Sequence, residues 1–244
     1  MTSILFLSPH PDDIAWSIGC LVDKIAHLSD SRMITLFSVC NYTPTIGRYT
    51  TDQATKIRIT EDKQFCLTVG IRHATLDFAE GLVRGYPDID SLFRFDKGSA
   101  DPIYVDVRDR LRRYMETEIA DLVFSPIALG HHIEHLICRD VAMDLCPVSK
   151  LLFYEDLPYA GFLSEAFIHE EITKHLGKDM QPFRTQGCYV KKLTLSAIYF
   201  SQFRAEVWQP IWHHANRLGN VKLVEQIWGA EQPLKQLMRL LDNK

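Results

Sequence analysis

The sequence predicts an α/β fold: a Rossmann-like, mostly parallel sheet flanked by helices over residues 1–156, and a smaller mixed region over 157–244, all read as a single domain. Two observations carry this expectation. Short apolar runs alternate with longer amphipathic segments from residue 4 to about residue 145, the order that builds parallel strands joined by crossover helices. The runs Ile4 to Leu7 and Met33 to Val39 are also mostly apolar rather than alternating, as expected of strands buried on both faces.

The 244 residues are 46% hydrophobic and 24% charged, which suits a globular chain with a sizeable core rather than a disordered or fibrous one. A net charge of −4 provides no basic field, so neither nucleic acid nor an anionic membrane is an expected partner. No segment reaches the roughly 18 to 20 apolar residues needed to cross a bilayer. The six cysteines are scattered without a CxxC pair and read as reduced core residues, which favours a cytoplasmic setting.

Taken in order, Ile4 to Leu7 is the first strand and Ile14 to about Leu28 the first helix. Between them lies Ser8-Pro9-His10-Pro11-Asp12-Asp13, where two prolines restrict the backbone around one imidazole and two carboxylates. His10 and Asp13 can ligate one cation as a nitrogen and oxygen pair that suits zinc, leaving Asp12 free as a base. The plainer use of an Asp here is to cap the helix. Met33 to Val39 is the second strand, residues 40–50 a polar loop over the same sheet edge, and Thr51 to about Val69 a helix ended by Gly70. Arg58 and Glu61 lie three apart on that helix, either as a surface ion pair or as a substrate-binding or structural contact near the site.

His73 to Phe78 reads as the third strand. The long connection over 79–102 follows, with Tyr86, Phe93 and Phe95 as candidates for a lid over a substrate. Ile103 to Ile119 is a helix expected to turn Val105, Val107, Leu111, Met115 and Ile119 inward and its four arginines to solvent. Asp121 to Pro126 is the fourth strand. Directly after it comes Gly130-His131-His132-Ile133-Glu134-His135, opening a helix to about Leu145, so that parallel strands bring both chemical turns to one sheet edge. His10, Asp13 and His135 then form a three-ligand site of the catalytic kind, with Asp12 and His132 left as acid and base groups.

Further on, 160–175 reads as helical, 183–192 as a short strand or hairpin, and Leu193 to Leu218 as largely helical with a break at Pro210. Trp208 and Trp212 sit at helical spacing, which suits the core; a homo-oligomer interface is the other use for such aromatics.

Pro9-His10-Pro11-Asp12-Asp13 and His132-x-Glu134-His135 resemble the PHPDD and HxDH motifs of the PIG-L or LmbE-like zinc N-deacetylases. The segments Arg58-x-x-Glu61-Asp62, Tyr154-Glu155-Asp156-x-Pro158-Tyr159 and Ile198-Tyr199-x-Ser201-Gln202 are similar to further parts of that family. The resemblance implies that His10, Asp13 and His135 bind zinc and that Asp12 is the general base. It also implies that His132 stabilises the oxyanion or protonates the leaving amine, and that Glu134 supports a ligand from behind. Protonated His132 is the expected oxyanion partner, and the amine receives its proton from Asp12 or His132. The chain departs from the pattern at Ile14, where many members are acidic, at Gly19-Cys20, where they have two glycines, and at Glu134, where they have Asp.

The implied activity is hydrolysis of an N-acyl, chiefly N-acetyl, amide on a small amino-sugar or natural-product intermediate. The same zinc could serve a hydrolase or acyl-transfer enzyme acting on an ester or another amide, with loops 40–50 and 79–102 choosing the substrate. A non-catalytic small-molecule binding protein on this fold is the remaining alternative, and the intact Asp12 argues against it.

Overall fold

The computed structural model describes residues 1–219 and 222–242. Its first half follows the expected alternation: β1 (Ser3–Ser8), α1 (Asp13–Ile25), β2 (Asp30–Val39), α2 (Thr51–Val69), β3 (Arg72–Ala79), the short α3 (Gly81–Arg84), α4 (Tyr104–Thr117), β4 (Leu122–Pro126) and α5 (Ile133–Leu145). The second half adds β5 (Leu151–Tyr154), α6 (Glu165–His175), β6 (Gln181–Gln186), α7 (Tyr189–Ala197), α8 (Ala205–Gly219), β7 (Val224–Gly229) and α9 (Glu231–Asp242). All seven strands join one sheet in the order β3-β2-β1-β4-β5-β7-β6.

Strands β1 to β5 are parallel to one another, whereas β7 runs antiparallel to both β5 and β6. β1 is central, with Ile4 to Leu7 fully buried, and it pairs with β2 on one side and β4 on the other. The chain first winds outward through β2 and β3 and then returns to β4, so the order reverses between β1 and β4. Ligands of open α/β sheets bind in the crevice that such a reversal leaves at the strands' C-terminal ends. Both chemical turns leave the sheet there.

Sequence signals set several boundaries. A Thr50/Gln53 capping box opens α2, and Gly70, at φ +81°, closes it in the left-handed region where glycine is unstrained. α1 breaks at Ile18 (φ −133°, ψ 24°), which frees backbone groups in mid-helix. Glu225 of β7 accepts the N–H groups of Cys20 and Leu21 at 3.0 and 2.8 Å, and Lys192 of α7 bonds both Glu225 (2.6 Å) and the carbonyl of Ser17 (3.2 Å). The C-terminal region therefore completes the hydrogen bonding of the helix that begins at Asp13.

Four expectations change. Val105 (49% exposed) and Ile119 (73%) do not face inward: the buried stripe of α4 is Tyr104, Val107 and Leu111, and Ile119 lies beyond the helix end. The 183–192 stretch divides between β6 and α7. The break in the following helical region falls at 198–204, and Pro210 lies inside α8, where Gly161 packs so closely that a Cβ would meet the Pro210 carbonyl oxygen at 2.4 Å. Trp208 packs against the core, but Trp212 is half exposed, about 100° from the buried line of a helix whose inward face runs through Val207, Ile211 and Ala215. Strands β5 and β7 and helix α9 had no counterpart in the sequence reading. Five cysteines are buried and Cys188 is exposed, all free.

Candidate active site

The turn after β1 is built by its own side chains. Ser8 Oγ donates to the carbonyl of His10 (2.6 Å), and Asp13 Oδ2 accepts the backbone N–H of His10 (2.8 Å). Asp12 has φ +114°, a conformation that non-glycine residues rarely adopt, and its side chain accepts none of the first-turn N–H groups of α1. It is therefore not a side-chain cap. Its Oδ2 accepts instead from Arg58 Nη2 (3.2 Å), which also donates to the carbonyl of Pro11 (2.9 Å), while Arg58 Nη1 donates to Glu80 at 2.5 Å. Arg58 is buried at the cavity with both terminal nitrogens bound to protein, and Glu61 accepts the N–H and hydroxyl of Ser201 rather than pairing with Arg58.

The turn after β4 carries positive φ at Ala128, Gly130 and His131, a tight path that delivers His132 as the N-cap of α5. His132 Nδ1 accepts the N–H of Glu134 at 3.3 Å, so in the neutral ring the proton resides on Nε2. His135 Nδ1 meets Asp156 Oδ1 at 2.6 Å, and Asp156 is held in turn by the N–H of Leu129 (3.0 Å). The rings of His132 and His135 lie 5.0 and 5.2 Å from that of His10. Glu134 does not cap its helix through its side chain: its carboxylate reaches His10 Nε2 at 2.6 Å and Arg84 Nη1 at 2.7 Å.

Among the described residues two overlapping donor groups could hold a metal ion, His10 with Asp13 and His135, and His10 with His132 and Glu134. The first fits better. His135 Nε2 is buried without a hydrogen-bond partner among the described residues and lies 3.4 Å from Asp13 Oδ2, and His10 Nδ1 lies 3.3 Å from the same oxygen. In the second group the Glu134 carboxylate is already bound to Arg84. Two imidazole nitrogens and one carboxylate oxygen are donor types that suit a divalent metal such as zinc.

Electrostatics separate the two adjacent carboxylates. Burial pushes Asp12 well above the ordinary carboxylate range despite the opposing charge of Arg58. Burial also works against Asp13, but His135 and His10 outweigh it and hold the carboxyl below its usual value. His132 is held well below a normal histidine by burial and by the charges of His10, His135 and Arg84. This direction favours a neutral ring, where the expectation was a protonated His132.

His10, Asp12, Asp13, Arg58, His132 and Glu134 line a cavity of about 290 Å³. Tyr42 and Pro44 of the 40–50 loop line it, with Leu82, Ile89, Leu92 and Phe93 of the 79–102 connection. Of the three aromatics expected to cover a substrate only Phe93 lines the cavity; Tyr86 bonds Asp101 and packs under Arg84.

Residues 5–146 match the family described as PIG-L, GlcNAc-PI de-N-acetylase. The chain belongs to this family. It is 29% identical over 221 residues to the 2'-N-acetylparomamine deacetylase of Streptomyces fradiae, covering 87% of this chain and 78% of that one. Its fold matches a crystal structure of a deacetylase of the teicoplanin biosynthesis pathway (22% identity, TM-score 0.74, covering 93% of this chain and 97% of that one). A zinc-inhibited form of teicoplanin deacetylase matches with TM-score 0.73 at 22% identity over the same shares of the two chains.

At the positions where this member departs from the PIG-L pattern, Ile14 is fully buried in the core and Gly19 packs against Leu195. Several site residues escaped the sequence reading: Glu80 and Arg84 in the long connection, Asp156 in its role behind His135, and Arg204 and Val207, which the C-terminal region adds to the cavity beside Gln202 of the family-like segment. Asp156 had a usable signal, since it follows a short apolar strand, Leu151–Tyr154, as His10 and His132 follow theirs.

Proposed function

We propose that this protein is a zinc-dependent amide hydrolase that removes an N-acyl group, chiefly N-acetyl, from a small amino-sugar or natural-product intermediate. The observation that carries this reading is the position of Asp12. It lines the cavity beside His10 and Asp13 of the donor group that buried His135 completes, takes no part in that group, and has a carboxyl poised by burial to accept a proton. Membership of the PIG-L family and the relative that acts on 2'-N-acetylparomamine support the choice of an N-acetylated amino sugar.

Zinc held by His10, Asp13 and His135 would activate water and polarise the acyl carbonyl. Asp12 receives the proton released as water attacks, and Arg58 keeps its carboxylate aimed into the cavity. His132, neutral and with its proton on Nε2, donates to the oxyanion that develops on the acyl group. Because His132 begins neutral, the proton that the departing amine needs comes from Asp12, which has just acquired it. The products are the free amine and the carboxylic acid.

The test is release of acetate from a panel of N-acetylated aminoglycosides, glycopeptide-type amino sugars, N-acetyl amino acids and acetyl esters, with metal-stripped and zinc-loaded protein. Zinc-dependent release from amino sugars is the expected result. Release from esters alone, or equal release without metal, would overturn the reading.

A further inference from the structure

Glu134 faces two ways, with Oε2 on His10 Nε2 at 2.6 Å and Oε1 on Arg84 Nη1 at 2.7 Å. Arg84 closes α3 inside the 79–102 connection, far in sequence from either motif. Its Nη1 also donates to the carbonyl of Ala79 (2.7 Å), and its Nη2 donates to Asp101 Oδ2 (2.6 Å), which accepts in addition from Tyr86 Oη (2.9 Å). The guanidinium carbon stands 5.2 Å from the Phe37 ring centroid and 5.7 Å from that of Tyr86. Both carboxylates are withdrawn from water, Glu134 at 1% and Asp101 at 4% exposure. Charge-assisted bonds from one rigid planar fork therefore fix the Glu134 carboxylate in position.

That position matters because of what Glu134 meets. The two nitrogens of His10 have different neighbours: Nδ1 lies toward Asp13 Oδ2 at 3.3 Å, within the metal donor group, and Nε2 lies on Glu134. A carboxylate that accepts at Nε2 keeps the ring proton there and leaves the Nδ1 lone pair for a cation.

We propose that Arg84, braced by Asp101, is a positioning residue for the metal site: acting through Glu134, it fixes the orientation and tautomer of His10, so that the 79–102 connection sets metal affinity. The proposal rests on the metal reading above and assigns the connection a role separate from contact with substrate.

The experiment titrates metal-free protein with zinc against a chromophoric chelator. Glu134→Gln is expected to weaken zinc binding about 10- to 100-fold and Arg84→Gln about 10-fold. The double variant should be no weaker than Glu134→Gln by more than about 2-fold, because the path from Arg84 runs through that residue. Losses that multiply, or an Arg84→Gln protein that binds as tightly as the native one, would overturn the proposal.

Nitrogen NMR of the labelled, metal-free protein gives a second readout that a purely structural role would not move. His10 should hold a single Nε2–H tautomer in the native chain and lose it in Arg84→Gln, and an unchanged tautomer counts against the proposal. Should Arg84→Gln fail to fold, Asp101→Asn loosens the same brace while keeping Arg84, and unchanged affinity and tautomer there would also overturn it. A native chain that binds no zinc refutes the metal reading and this proposal together, a result distinct from normal native binding with an indifferent Arg84→Gln.

Discussion

Asp156 Oδ1 lies 2.6 Å from Nδ1 of His135, and the other nitrogen of that ring is buried with no hydrogen-bond partner among the described residues, 3.4 Å from Asp13 Oδ2. An unpaired buried ring nitrogen costs about 1–3 kcal/mol. A cation shared with His10 and Asp13 would relieve it, and Asp156 would keep the ring turned to meet the ion.

Asp156→Ala should therefore weaken zinc binding by about 10- to 100-fold without removing any ligand. Chelator competition on the purified variant measures this. Native affinity in Asp156→Ala would mean that packing alone orients His135.

Asp12→Asn should retain zinc and lose about 10²- to 10⁴-fold in turnover, since the amide is nearly isosteric but cannot accept the proton of the attacking water. Metal content and acetate release are measured on the same preparation. Turnover near the native rate would move the base to another residue.

Lys192→Met should destabilise the fold by about 3–5 kcal/mol, because it strands Glu225 at 2% exposure against the broken turn of α1. Chemical denaturation reads the loss. A change below 1 kcal/mol would show that the N–H groups of Cys20 and Leu21 satisfy Glu225 unaided.

Glu155, which does not line the cavity, supplies a pH dependence of stability. Burial disfavours its charge, but hydrogen bonds from His214, Trp228 and Gln226 outweigh burial and hold its carboxyl below the unfolded value of 4.5. A depressed carboxyl contributes stability above the unfolded pKa and loses it as pH falls through the folded one. Relative to Glu155→Gln, the native chain should be more stable at neutral pH by a margin that stays level down to about pH 4.5 and closes below it. A margin that widens on acidification would reverse the sign of the coupling.

The legible part of the site was the part carried by short stretches of chain. Pro9 to Asp13 and His131 to His135 each follow an apolar strand and open a helix, so strand, turn and donor residues could be read together, and parallel strands bring such turns to one edge. The helical repeat was a weaker guide at α4, because a count of apolar positions cannot say which stripe meets the sheet. Tyr104, Val107 and Leu111 do, leaving Val105 in solvent.

The sequence by itself determined the α/β class and the two chemical turns, because each depends on neighbours within a few positions. Only the tertiary structure decided which distant residues complete them. Arg58 lies under Asp12, Asp156 behind His135, Arg84 behind Glu134, and Glu225 at the break in α1. Those partners are separated in sequence by 46, 21, 50 and 204 positions. Their meeting is set by strand order, register and the packing of helices on the sheet, which no local periodicity encodes.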